Sequence, residues 1–267
     1  MSIEQEGFLS QDIKHWVSKI RAEHDILFTL AADTNRICQE SMLALEPNSA
    51  NGQQVITATL FLRCVSTYQG IVILAERCMI PQASVLTRAL LEVVFTLCAL
   101  CRNEKLVADY VNEDKVYKLK LIDKLRKYHK EDFPEPEKVA LLEQALKSEK
   151  GEKNIVSRST QKWAEDAGLL DIYLITYTGL SATAHVKVSD LDRHIIADAE
   201  GNIKDFNWGP NDVADFDLVL MTSIDVMLYA LKHISDLFGI KKDDIVKLLR
   251  KRLEEATKEE SGTSLSP

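Results

Sequence analysis

Proline and glycine are scarce in this chain, with six and ten residues respectively among 267. So few breakers leave little room for a turn-dense architecture, and the prolines at Pro47, Pro81, Pro134, Pro136, Pro210 and Pro267 read as gaps between long helices. Excess positive charge is also missing. The net charge of −8 and pI near 5.4 argue against a surface built to coat polyanions, so DNA is not an expected partner. The lysines from Lys115 to Lys130 spread around their helix and are interrupted by acids, as on a solvated face. The N-terminal text MSIEQEGFLS carries acid where a secretory leader needs positive charge. The long uncharged runs, Ile172 to Val186 among them, fall short of the ~18 apolar residues of a spanning helix. No membrane segment and a cytoplasmic location are expected.

Paired cysteines are lacking too. The five (Cys38, Cys64, Cys78, Cys98, Cys101) are an odd number set in apolar helical text, where a free thiol acts as a small hydrophobe. Cys98 and Cys101 form a C-x-x-C late in a helix, whereas redox chemistry places that motif at a helix start. Neither H-x-x-x-H nor H-E-x-x-H occurs, so no metal site and no cofactor are expected. Phosphate loops and nucleophile elbows are likewise absent from the text.

What remains is apolar periodicity. A helical pattern runs from Ser10 toward Leu45, a second from Gln53 to Met79, and a third opens at Pro81 and ends near Asn103. The second and third should pack as an antiparallel hairpin. A further helix reaches about Lys130, a short one spans Lys138 to Glu149, and Ser159 caps another that Gly168 ends. Leu169 to His185 reads as one more apolar helix, Asp212 as the cap of a long one ending at Gly239, and Asp243 or Asp244 as the start of the last. Only the text around Glu200-Gly201-Asn202 is strand-like. The expected fold is all-α: a single multi-helix bundle of about eight helices over residues 1–260, with a small hairpin or flap near 195–208 and a disordered tail over 261–267.

Three places could carry chemistry. In QASVLTRALLEVVFTLCALCR, Arg88 and Glu92 stand one turn apart on an otherwise apolar helix. A few tenths of a kcal/mol from such a pair does not offset burying two charges, so further polar partners or a wet cavity are required. In GLSATAHVKVSDL, Ser181 and His185 are one turn apart near a helix end, where the dipole favours a protonated imidazole suited to anions or proton transfer. Asp225 stands alone in an apolar run and could face inward to pair with Arg88 or His185. Each also has a structural reading: a paired buried charge, or a histidine capping its own helix.

The text TYQGIVILAERCMIPQASVLTRALLEVVFTLCAL resembles the core of a bacterial family of helical proteins known as a domain of unknown function. Its members carry an R-x-x-x-E helix and a later S-x-x-x-H segment, matched here by Arg88/Glu92 and Ser181/His185. The resemblance covers roughly Val55 to His185 and implies an all-helical fold with a shared Arg-Glu-His polar centre. A more distant similarity is to the HEPN superfamily, which implies a metal-independent ribonuclease of the toxin or phage-defence type, acting as a dimer. That superfamily's Arg and His lie four to six residues apart on one helix. Here Arg126 and His129 are closer, Arg193 and His194 are adjacent, and Arg88 would have to act from a separate helix. The leading expectation is a cytoplasmic protein, homodimeric or a larger homo-oligomer, binding a small anion or polar ligand at Arg88, Glu92 and His185, with Ser181 and Asp225 beside them. Two rivals stand next to it: a nuclease acting on RNA through Arg88, Glu92 and His185, and a non-catalytic interaction scaffold.

Overall fold

The computed structural model describes residues 2–128, 139–141, 143–146, 158–184, 188–210, 213 and 215–263. The first helical text does not run as one rod. After the short helix α1 (Ile3–Glu6) it divides into α2 (Ile13–Glu23) and α3 (Asp25–Leu43). The division falls at His24, whose backbone leaves the helical region at φ −117° and whose ring packs 4.1 Å from that of Phe216. Asn51 then caps α4 (Gly52–Ala75) by accepting the Gln54 N–H, and Pro81 occupies the second position of α5 (Ile80–Arg102), where its missing N–H costs nothing. The two form the antiparallel hairpin that the spacing implies.

Asn103 ends α5, and α6 (Leu106–Tyr128) follows. Of the expected helix from Lys138 to Glu149, the described residues are helical, and Leu146 joins Leu119 and Ile122 of α6 in a small satellite cluster. Ser159 accepts the Lys162 N–H to start α7 (Thr160–Ala167), and Gly168 ends it at φ 74°. Glycine suits the position on two counts. The left-handed φ disfavours a side chain, and a Cβ would stand 2.5 Å from Nη1 of Arg102, which donates to the Ala167 carbonyl at 2.9 Å.

The apolar text after Leu169 departs from a regular helix. α8 (Leu170–Ile172) passes into a π-helical turn at Tyr173–Tyr177 before α9 (Thr178–Ala184) and α10 (Val188–Leu191) continue the chain. Thr178 marks the wide turn, since its N–H and its Oγ1 both donate to the Tyr173 carbonyl five residues back. The flap is an antiparallel pair, β1 (Ile195–Ala197) and β2 (Ile203–Phe206), aligned Ile195 to Phe206 with a bulge after Ile196. Asp212, expected as a cap, lies outside the described residues. α11 (Phe216–Phe238) begins after Asp215 at φ 61° and ends at Gly239, and α12 (Asp243–Thr263) stays helical past residue 260, where a tail was expected.

Among the described residues the fold is thus all-α with one small hairpin. Its centre is the packing of α4, α5 and α11, with α3 against α4 and α11. Phe61, Cys64 and Tyr68 of α4 meet Leu90, Leu91, Val94 and Phe95 of α5 and Val219, Leu220, Ile224 and Met227 of α11 in one continuous core, all at 0% exposure. α4, α5 and α11 are each long and apolar enough to cross a membrane by length and composition. The uncharged runs did not reveal this, because isolated charges such as Arg88 interrupt the runs without lowering mean hydropathy enough. In the fold, 61% of the apolar window of α5 and of α11 is buried against other helices, and 39% of that of α4.

Candidate functional site

α5 sends Arg88 and Glu92 toward the π-turn rather than into the dry centre. Their side chains are 23% and 42% exposed, so the pair sits at a rim and the solvation cost feared from the sequence is largely avoided. Arg88 Nη2 lies 3.3 Å from Glu92 Oε1, too long for a strong bond. The stronger link runs through Tyr177. Its hydroxyl accepts from Arg88 Nη2 at 2.7 Å and donates to Glu92 Oε1 at 2.7 Å, while the Arg88 guanidinium stands 4.8 Å from the centre of its ring. Arg88 Nε donates to Ser181 Oγ at 3.1 Å, and Ser181 donates onward to the Tyr177 carbonyl at 2.8 Å. Two nitrogens of the guanidinium are therefore fixed. Nη1 has no partner among the described residues.

The wide turn makes this geometry. Tyr173 and Tyr177 stack at 5.0 Å and both meet Phe95 edge-on at 6.3 and 6.2 Å, so the turn is anchored on the core through its rings. Burial pushes the Tyr177 phenol above its ordinary value, and the bond to Glu92 adds to the shift. The phenol therefore stays protonated near neutrality and serves as a donor to Glu92, not as a base. Ser181 has no base beside it among the described residues, and its proton is held by a backbone carbonyl, which suits positioning better than attack. The polar stripe of α5 turns back on its own backbone: Ser84 donates to the Ile80 carbonyl at 2.9 Å and Thr96 to that of Glu92 at 3.1 Å.

Of the residues singled out in the sequence, Arg88, Glu92 and Ser181 come together. His185 lies outside the described residues. Asp225 belongs elsewhere: it lines a groove of about 450 Å³ between α11 and α12 with Thr222, Tyr229, Arg250 and Glu254. Its carboxyl is raised mainly by burial, then lowered by Arg250 and raised by Glu254, so its ionic neighbours are those two and not Arg88. Arg193 and His194 are spent on the flap, Arg193 near Asp215 at 3.5 Å and His194 Nδ1 3.2 Å from the Asn207 carbonyl oxygen. Burial raises the Cys98 thiol well above its usual range and that of Cys101 to about 12, which leaves the C-x-x-C without a thiolate.

Three residues escaped the sequence reading. Tyr177 was visible in principle, since Tyr177, Ser181 and His185 follow one another at four-residue steps. Arg250 stands 4.0 Å over the Tyr229 ring, with Nε and Nη2 buried and unbonded among the described residues. Arg158 joins Asp109 and Asp166, each at 2.7 Å, and so ties α6 to α7. Neither arginine has a spacing that distinguishes it from a surface cation.

Residues 54–203, more than half of the chain, match the profile of a family of unknown function, DUF5677. The matched span contains α5, the π-turn, Ser181 and β1, and stops before α11 and α12. No curated protein and no solved structure matches the chain.

Proposed function

This chain belongs to the DUF5677 family, and we propose that it is a cytoplasmic binding protein that takes a small anionic or polar ligand at Arg88, Glu92 and Ser181. The observation that carries the reading is the state of Arg88. Its Nε and Nη2 are locked by Ser181 and Tyr177, so the cation is held in one orientation while Nη1 remains at a partly exposed rim. A guanidinium held in advance loses less side-chain freedom on binding than a mobile one, and a charge-assisted bond to a carboxylate or phosphate oxygen is among the stronger polar contacts. Glu92 beside it disfavours highly charged anions and favours a ligand that also offers a donor. The sequence reading adds His185, four residues beyond Ser181, to these groups. The cytoplasmic assignment is supported by five free cysteines, four of them buried, as expected where thiols stay reduced.

The reading is tested by thermal-shift and calorimetric titration of the full chain against nucleotides, inorganic phosphate and small carboxylates. At least one should stabilise the protein and bind saturably, and Arg88→Met should remove that response while circular dichroism stays unchanged. A panel in which nothing binds, or binding that survives Arg88→Met, overturns it.

A further inference from the structure

A second cavity, far in character from the Arg88 rim, opens where the N-terminal helices meet the flap. It encloses about 520 Å³, within the range of small-molecule sites, and its walls come from α1, α2, β1, β2 and the residues just after β2. Three aromatic rings line it, Trp16, Phe206 and Trp208, together with three carboxylates, Glu4, Asp12 and Asp205. Among the described residues no lysine, arginine or histidine lines it. Phe206 and Trp208 are 60% and 52% exposed, an unusual place for two large rings unless something covers them. Among the described residues Glu4 and Asp12 enter no ion pair, and Asp205 bonds only the Phe206 N–H, at 2.8 Å.

The cavity is held open by backbone rather than by its own side chains. Asn207 N–H donates to the His194 carbonyl at 2.9 Å, which sets β2 against the turn before β1, and Gly209 passes close enough to α1 that a Cβ there would stand 3.9 Å from Ile3. The backbone that carries Phe206 and Trp208 is therefore anchored beside an acidic rim. Such walls select for charge and against hydration. A small metal ion or an inorganic cation keeps its water and gains little from ring faces, whereas an alkylated ammonium sheds water easily and meets both the ring quadrupoles and the carboxylates. Trp16 already carries one cation, with Lys19 Nζ 4.9 Å from its ring centre, so the rings of Phe206 and Trp208 are the ones most open to a ligand.

We infer that the cavity between α1, α2 and the flap binds an organic ammonium cation, methylated or quaternary, on Trp16, Phe206 and Trp208 with Glu4, Asp12 and Asp205 balancing its charge. The inference rests on different residues from the proposal at Arg88 and stands or falls without it. Two of the three tryptophans line the cavity, so intrinsic fluorescence reads occupancy directly.

The full chain is titrated with choline and tetramethylammonium, with sodium chloride at matched ionic strength and with 3,3-dimethyl-1-butanol, the neutral isostere of choline. Saturable quenching is expected with both ammonium ions, and binding about tenfold weaker or undetectable with the isostere. Trp208→Ala should abolish the response, and Glu4→Gln with Asp12→Asn should weaken it about tenfold. Circular dichroism checks each variant; should Trp208→Ala misfold, Phe206→Ala takes its place. N-acetyl-trimethyllysine amide, run beside choline, identifies the source: tighter binding than choline supports a methylated peptide as occupant, and weaker binding a free ammonium metabolite. Equal responses to choline and its neutral isostere, or no saturable response to either ammonium ion, would overturn the site.

Discussion

The two ends of α5 obey different rules although they belong to one helix. From Val94 to Leu100 seven consecutive residues are buried, so no face of the helix reaches water and the segment is enclosed by its neighbours on every side. From Val85 to Val93 exposed and buried positions alternate with helical spacing, and the open side carries Arg88 and Glu92. The difference teaches where a charge can be kept. The closed end admits only residues that need no polar partner or, like Thr96, bond their own backbone. At the other end a guanidinium is tolerated because a tyrosine, a serine and solvent share its demand for acceptors.

The contrast can be broken most severely at the closed end. Phe95 is fully buried and supports the rings of both Tyr173 and Tyr177, so Phe95→Ala should cost about 3–5 kcal/mol in urea denaturation. It should also loosen the Arg88 rim, read as weaker ligand-induced stabilisation. A loss under about 1 kcal/mol would show that the closed end is not closed. Tyr177→Phe removes one hydroxyl that serves both charges of the open end. With solvent able to replace part of what is lost, the expected cost is about 1 kcal/mol by the same measurement, with the core otherwise intact.

The smallest effect sharpens the comparison by its sign. Asp225 lies in the α11–α12 groove, where burial raises its carboxyl above the ordinary aspartate value of 3.8. A raised folded value means that the stability linked to the protonated form is fully present below 3.8 and is lost as pH rises through the folded value. At neutral pH the ionised carboxylate therefore weighs against folding. Asp225→Asn should raise the melting temperature at pH 7, and the gain should shrink as pH falls toward the ordinary aspartate range. A lowered melting temperature at pH 7 would mean that the attraction of Arg250 outweighs burial.

Most helix positions could be read from the sequence because caps and breakers act locally. Pro81, Ser159, Gly168 and Gly239 each sit where their backbone chemistry places a helix end. The break at His24 could not be read that way. It coincides with packing against Phe216, nearly two hundred residues away, and no local signal encodes that contact. The candidate site was half legible for a similar reason. Arg88, Glu92 and Ser181 stood out as polar residues in apolar text, but Tyr177 resembles any buried aromatic until the turn that carries it is known. Asp225 stood out in its apolar run but faces Arg250 and Glu254 rather than Arg88, since helical spacing fixes which face a residue occupies and not which helix lies opposite.

The π-turn at Tyr173–Tyr177 amounts to one residue more than an α-helix would need to cover the same length. Each residue of an α-helix turns the chain by about 100°, so deleting a single residue from that turn would restore ordinary pitch and swing everything after it by about that angle. Ser181 would then leave Arg88, and the hydroxyl bridge to Glu92 would go with it. The polar cluster thus depends on an insertion too small to show in hydropathy, and a one-residue change in length there is more consequential than most substitutions.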